Sequence, residues 1–72
     1  MSTLGEILKR ARKDAGLQQK QVAQYLHIHR TTYTKYETDV TQPPLCVLWK
    51  ITQLLELDPA WLLREISQED AE

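Results

Sequence analysis

Apolar residues recur along the chain at the spacing of one face of a helix, and the first such segment predicts a helix over about residues 4–15. Thr3 and Glu6 stand three positions apart at its start and form a capping box. Gly16 is placed to end the helix in a left-handed cap. The predicted buried stripe consists of Leu4, Ile7, Leu8, Ala11 and Ala15.

Two short helical patterns follow within residues 18–39, with almost nothing between them. The first begins at Gln18 or Gln19 and ends near Leu26. The second, projected at about 100° per residue, places Tyr33, Tyr36 and Glu37 on one side and polar residues on the other. The polar stripe consists of Thr31, Thr34, Lys35 and Thr38, with Arg30 and Thr32 flanking it. Hydroxyl residues beside cations suit a groove lined with base edges and flanked by phosphates.

A fourth helix begins after Pro43 and Pro44, because proline tolerates the first helical turn. Its apolar residues cover most of its circumference, so we expect this helix to be the centre of the core. They are Leu45, Val47, Leu48, Trp49, Ile51, Leu54 and Leu55. Cys46 and Trp49 are accordingly predicted to be packing residues, since nothing nearby would activate the thiol.

The last helix is predicted over about residues 59–66, with Asp58 as its cap and Pro59 at its first position. It carries more apolar residues than one helix can bury in so small a domain. We therefore expect Trp61, Leu63 and Ile66 to face a second copy of the chain. Residues 67–72 are polar and acidic, and they are expected to form a disordered tail after a domain spanning residues 1–66.

Length and composition limit the class of protein. A chain of 72 residues forms one domain and buries only roughly 60% of its unfolded surface. With no alternating segment to form a strand, the sequence predicts an all-α bundle. Cys46 is the only cysteine, and two histidines in one turn supply too few ligands for a metal site. The sequence shows no leader and no apolar run of roughly 20 residues, so we expect a soluble cytoplasmic protein.

The formal net charge of −1 hides an uneven distribution of charge along the chain. Residues 1–50 hold eight Lys or Arg against four acids, a net charge of +4. Residues 51–72 hold one Arg against six acids, a net charge of −5. This asymmetry is what a nucleic-acid face and a separate acidic end would produce.

Several of these residues together resemble the Cro and phage-repressor-like helix-turn-helix proteins, the XRE family. The matching residues are Leu17-x-Gln19, Val22-Ala23-x-x-Leu26, Ile28 with Arg30-x-Thr32, Tyr36-Glu37, and, after an apolar helix, Asp58-Pro59-x-Trp61-Leu62-Leu63. The resemblance spans about residues 4–64 and holds in both order and spacing. It implies a five-helix, lambda-repressor-like domain whose second and third helices form the helix-turn-helix, with the third in the major groove.

The resemblance also implies which residues contact DNA. The glutamine matching Gln19 touches the DNA backbone in that family, and the first residues of the third helix read bases. The base contacts expected here are Arg30, Thr31, Thr34 and Lys35. The backbone contacts expected are Gln19, Lys20, Thr32, Thr38, Thr41 and Gln42, with the positive end of the second helix favouring a phosphate near Lys20. The family further pairs the residues matching Arg12 and Glu37, which predicts a structural salt bridge between the first and third helices.

The sequence departs from the family at three positions near the third helix. His27 stands where the turn usually has glycine, so we expect a positive φ at some cost and a turn that is tighter or differently bent. His29 replaces the usual small capping residue, and Asp39 replaces the glycine that often follows the Tyr-Glu pair. The next loop lacks the usual basic residues, which leaves Thr41 and Gln42 for any phosphate contact.

The leading functional hypothesis is a sequence-specific transcriptional regulator, a repressor that binds a palindromic operator in double-stranded DNA as a homodimer. The alternative is a protein-interaction module of the same fold, such as an antitoxin that binds its toxin through the last helix and acidic tail. A toxin or an antirepressor would then be its protein partner. An enzyme is not expected, because no acid and base pair, activated nucleophile or glycine-rich phosphate loop is present. We expect no cofactor, small-molecule ligand or membrane partner.

Overall fold

The chain folds into five helices, as its periodicity predicts. The computed structural model describes residues 3–70, and the side chains of residues 3–66. The helices are α1 (Leu4–Asp14), α2 (Gln19–Leu26), α3 (Arg30–Glu37), α4 (Leu45–Leu54) and α5 (Pro59–Asp70). No strand occurs within residues 3–70, so the predicted all-α fold is confirmed.

Helix α1 is bounded by the two signals that predicted it. Glu6 N donates to Thr3 Oγ1 at 3.2 Å and Thr3 N donates to Glu6 Oε1 at 3.0 Å, which completes the capping box. At the other end Gly16 has a φ of 73°, and Leu17 N donates to Arg12 O at 3.1 Å. Ala15 is exposed, so its place in the predicted buried stripe is wrong. The reason is that α1 ends at Asp14 and the chain already turns away at Ala15.

The main core lies where α1, α2, α3 and the end of α4 meet. Helix α2 packs against α3 and α4, and α1 packs against α3. The buried cluster consists of Leu8, Val22, Ala23, Leu26, Tyr33, Tyr36, Ile51 and Leu55. Because α3 contributes two tyrosines to this cluster, one side of α3 is held in the core and the other side is turned outward.

The prediction that α4 is the centre of the core is wrong, because α4 reaches the core along one side only, where Val47, Leu48 and Leu54 are half-buried against it. Ile51 and Thr52 are its buried residues, whereas Leu45 is 79% exposed and Trp49 is 56% exposed. Cys46 is exposed too, so the expectation that Cys46 and Trp49 are packing residues is also wrong. A domain of this size has no further layer to cover the opposite side of the helix.

Helix α5 follows a left-handed residue, Glu56, whose φ is 56°. Leu62 is buried, with 1% of its surface exposed. The helix extends to Asp70, so its predicted end near Ile66 is too early. The remainder of the predicted tail, residues 71–72, lies outside the described residues. No helix in the described part of the chain has the length and apolarity to cross a membrane.

Candidate nucleic-acid interface

The turn between α2 and α3 is a Schellman motif built around His27. His27 adopts φ 59° and ψ 41°, the left-handed conformation expected at this position. Its N–H donates to Gln24 O at 3.2 Å, and Ile28 N donates to Ala23 O at 3.1 Å. His29 is extended and forms no side-chain cap, and α3 begins at the next residue. The bend therefore has the hydrogen bonds of a glycine-capped helix end, although the residue is histidine.

Helix α3 has one buried and one outward side, as its pattern predicts. Tyr33 is fully buried and Tyr36 is 5% exposed, and their rings meet edge to face with centroids 6.3 Å apart. Arg30, Thr31 and Lys35 are exposed on the other side. The aromatic packing fixes the rotation of the helix, so these three side chains are presented to solvent from a rigid support.

A buried ion pair joins α1 to the end of α3. Arg12 Nε donates to Glu37 Oε2 at 2.7 Å, and Arg12 Nη2 donates to Glu37 Oε1 at 3.3 Å. The two side chains are 10% and 1% exposed. Arg12 Nη1 also donates to Leu17 O at 2.9 Å, which ties the α1–α2 connection into the same cluster. These are the two residues for which the sequence predicts a structural salt bridge.

The pKa values of this cluster reflect the close pairing. Burial acts to raise the pKa of Glu37, but hydrogen bonds, led by that from Arg12, outweigh it and lower the pKa below its ordinary value of 4.5. The hydrogen bond to Glu37 raises the pKa of Arg12 despite partial burial. Burial also raises the pKa of the neighbouring Tyr33 phenol. Glu37 is therefore a carboxylate at neutral pH and acts only as a hydrogen-bond acceptor.

Gln19, the first residue of α2, connects this ion pair to the outward side of α3. Its Nε2 donates to Glu37 Oε1 at 3.0 Å, and its Oε1 accepts from Thr34 Oγ1 at 3.1 Å. Its side chain is thus engaged within the protein on both ends of the amide. At the start of α2, Gln18 N donates to Gln21 Oε1 at 2.8 Å, and the first turn forms the positive end of the helix dipole.

The predicted base-contacting residues lie together on one open cleft. Its lining residues are Gln19, Arg30, Thr31, Thr34 and Lys35. A neighbouring cleft is lined by Arg12, Gln18, Gln19, Lys20 and Arg30. Arg30 and Lys35 form no ion pair within residues 3–66, so the outer cations are available to a polyanion.

The other predicted backbone-contacting residues are more dispersed. Thr38 Oγ1 donates to Thr34 O at 3.0 Å, so its hydroxyl proton is engaged with the helix backbone. Thr32 is half-buried, and Thr41 is exposed in the loop that follows α3. Gln42 lines a depression with Leu63 and Ile66 rather than with the outward residues of α3. The structure therefore brings Gln42 near the predicted dimer residues.

Two residues near this surface, Asp39 and Gly5, have structural roles that sequence reasoning missed. Asp39 has a φ of 63°; its Oδ1 accepts from Gly5 N at 3.0 Å and its Oδ2 accepts from Thr3 Oγ1 at 2.6 Å. A Cβ built on Gly5 would lie 2.4 Å from Glu37 O. The start of α1 is therefore pinned to the end of α3. A glycine in the first turn of a helix is the signal that could have indicated this close approach.

The predicted dimer residues do not share one surface. Leu63 is 55% exposed and lines the depression beside Ile66, whereas Trp61 lines a different cleft with α1 residues such as Ile7 and Arg10. Leu63 also lies beside apolar residues of α4, which sequence reasoning did not group with it. An uncharged cleft between α4 and α5 is lined by Leu45, Leu48, Trp49, Thr52, Pro59, Leu62 and Leu63.

Comparison with known proteins matches the chain to one protein family and to two individual proteins. The helix-turn-helix family matches the chain over residues 8–62, which include α2, the turn and α3. Two proteins of Bacillus subtilis (strain 168) are also similar to it. The SPbeta prophage-derived uncharacterized HTH-type transcriptional regulator YonR is 37% identical over 60 residues, covering 83% of this chain and 56% of that protein. The HTH-type transcriptional regulator ImmR is 36% identical over 61 residues, covering 85% of this chain and 48% of that protein.

The chain spans about half the length of these curated relatives. The similarity therefore concerns the helix-turn-helix part of each relative. No solved structure matches the chain.

Proposed function

The chain belongs to the helix-turn-helix family of Cro and phage-repressor-like (XRE) transcriptional regulators, and we propose that it represses transcription by binding a palindromic operator as a homodimer. Its α3 enters the major groove and α2 crosses the DNA backbone above it. The observation that carries the proposal is the division of α3 between a buried aromatic side and an exposed polar side whose cations form no ion pair within residues 3–66.

Base contacts are assigned to the residues of the α3 cleft. Arg30 has donors that match guanine O6 and N7, and the methyl group of Thr31 can contact the methyl group of thymine. Thr34 and Lys35 lie one turn further along the same side. Four outward side chains on one short helix are enough to read a few base pairs in each half-site.

Backbone contacts are assigned to the positive end of α2 and the edges of α3. The N–H groups at Gln19 and Lys20 can hold a phosphate, and the Lys20 ammonium adds a charge. Thr32 and Thr38 flank the base-reading side, and Thr41 and Gln42 follow in the next loop. The Gln42 contact is supported least, because this side chain lies beside Leu63 and Ile66.

A homodimer would place two recognition helices about 34 Å apart, one turn of DNA. We assign its interface to Leu63 and Ile66 together with the uncharged α4–α5 cleft that contains Leu45 and Trp49. A symmetric contact of this kind covers apolar side chains that the monomer leaves exposed. Trp61 lies in a separate cleft, so we do not include it in this contact.

Selection of binding sites from random DNA duplexes tests the proposal. We expect a palindromic sequence to be enriched, with affinity that falls steeply as salt increases. Arg30→Ala combined with Lys35→Ala should abolish enrichment. The matched control is Lys9→Ala with Lys13→Ala, which removes the same charge from the exposed side of α1 and should preserve the selected sequence. Failure of the wild-type protein to enrich any duplex would contradict the proposal.

A second candidate function is a protein-interaction module, which the exposed apolar residues of α4 and α5 favour. A toxin or antirepressor would then occupy the α4–α5 cleft. Regulatory activity in cells separates the two functions, measured on a reporter promoter that carries the selected duplex. If Arg30→Ala with Lys35→Ala leaves repression unchanged while Trp49→Gln removes it, contact with a protein partner is the function.

A further inference from the structure

The hydrogen-bond chain from Arg12 to Thr34 has a direction that constrains what α3 can read. We propose that Thr34 meets DNA only as a hydrogen-bond acceptor, so that it selects a base bearing an exocyclic amine, which is adenine or cytosine. This inference rests on the proposed function and specifies the chemistry of one of its base contacts.

The direction of the chain is set at its buried end. Glu37 Oε1 accepts from Gln19 Nε2 at 3.0 Å, and the carboxylate has no proton to donate while Arg12 is paired with it. If the Gln19 amide were reversed, its carbonyl oxygen would face a negative oxygen in a site that is 1% exposed. The charge on Glu37 therefore determines that the carbonyl end of the Gln19 amide points toward Thr34.

The only proton of the Thr34 hydroxyl faces two acceptors, the Gln19 carbonyl oxygen and the backbone oxygen of Arg30. Thr34 Oγ1 lies 3.1 Å from Gln19 Oε1 and 2.9 Å from Arg30 O. Both oxygens are acceptors, so the hydroxyl proton points into the protein whichever of the two accepts it. What Thr34 offers to the cleft is an oxygen lone pair.

A lone pair at this position has few partners in DNA. The major groove presents donors only at adenine N6 and cytosine N4, whereas guanine O6 and N7 and thymine O4 are acceptors. Phosphate oxygens are acceptors as well, so Thr34 gains nothing from the DNA backbone. The neighbouring Arg30 and Lys35 side chains carry only donors. Thr34 is thus an acceptor placed between two donors, and Gln19 and Glu37 are the positioning residues behind it.

Base analogues that lack one amine test this inference directly. In a duplex selected by the wild-type protein, each adenine is replaced in turn by purine and each cytosine by 2-pyrimidinone. Dissociation constants are measured for the wild type, Thr34→Val and Thr34→Ser. We expect one position per half-site at which loss of the amine weakens wild-type binding about 3- to 10-fold, the effect of one hydrogen bond. Thr34→Ser should retain this sensitivity and Thr34→Val should lose it.

Three outcomes would overturn the inference. In the first, removal of an amine never weakens binding in a way that depends on the Thr34 hydroxyl. In the second, Thr34 is coupled instead to a guanine or thymine oxygen, which would require the hydroxyl to donate. In the third, no duplex is bound at all, which would overturn the proposed function as well, so the two failures are distinguishable. Circular dichroism of both variants ensures that a loss of coupling does not reflect unfolding, and Thr34→Ser preserves the test if Thr34→Val is unstable.

Discussion

The two halves of the domain differ in whether their side chains find partners within the same chain. In the half formed by α1, α2 and α3, the buried polar groups Arg12 and Glu37 are paired, and Gln19 links them to the surface of α3. In the half formed by α4 and α5, apolar side chains such as Leu45, Trp49 and Leu63 remain more than half exposed. Among the described residues, the first half pairs its buried charges and leaves one buried side-chain polar atom, Tyr33 Oη, without a hydrogen bond, whereas the second half leaves an apolar surface exposed.

In the proposed function, this difference separates two tasks, which are base reading and association of two copies. Reading bases requires side chains held in fixed positions, which the ion pair and the tyrosine packing supply to α3. The proposed association requires an apolar surface that is exposed in the monomer, and we assign it to the cleft between α4 and α5. Substitutions in the first half should therefore change the free energy of unfolding, and those in the second half should change association.

The largest effect is expected from Arg12→Ala. Removal of one partner leaves Glu37 buried without its counter-ion, which costs about 3–5 kcal/mol of unfolding free energy. That is comparable to the total stability of a small domain. Urea unfolding followed by circular dichroism measures the loss, with Lys13→Ala on the exposed side of α1 as the control. A loss below about 0.5 kcal/mol would mean that the ion pair does not hold α1 to α3.

Gly5→Ala should produce the next largest effect. Its Cβ would meet Glu37 O at 2.4 Å, a backbone atom that moves only if α1 and α3 separate, and we expect a loss of about 3 kcal/mol. Gly16→Ala is the matched control, because its Cβ meets nothing within 4 Å and its φ of 73° alone costs about 1 kcal/mol. Equal losses in the two variants would contradict the close approach of α1 to α3.

A smaller effect is expected from acid. The folded-state pKa of Glu37 is lowered, so its contribution to stability is fully present above the ordinary value of 4.5 and is lost as pH falls below it. Melting temperatures measured from pH 7 to pH 3 should therefore fall more for the wild type than for Glu37→Gln. Parallel curves for the two proteins would show that Glu37 has the same pKa in the folded and unfolded states.

The smallest effect on unfolding is expected in the other half of the domain. Trp49→Gln changes a side chain that is 56% exposed, so the monomer should keep its stability within about 0.5 kcal/mol. Sedimentation velocity should nevertheless show weaker self-association, which Lys50→Gln, its exposed neighbour, should not cause. An unchanged sedimentation profile would remove the α4–α5 cleft from the proposed dimer.

Local signals predicted the five helices and most of their ends, because these ends are set by residues close in sequence, although α5 extends past its predicted end to Asp70. The Thr3–Glu6 capping box and the cap at Gly16 bound α1 as expected. The alternation of aromatic and polar residues in α3 predicted which side is buried. The resemblance to a known family also indicated the Arg12–Glu37 pair.

What the tertiary structure alone decided is which apolar and polar residues find partners. An apolar pattern shows that Trp49 could be buried, but the packing of α5 against α4 determines how far it is covered, and here 56% of it stays exposed. Gly5 and Asp39 matter because α1 and α3 approach each other across more than thirty residues of sequence. The direction of the hydrogen bond at Thr34 likewise depends on a carboxylate from the end of α3 and an amide from α2 meeting in one place. Local sequence predicts helices and faces because those depend on neighbours in the chain, whereas contacts between helices depend on distances that only the folded chain sets.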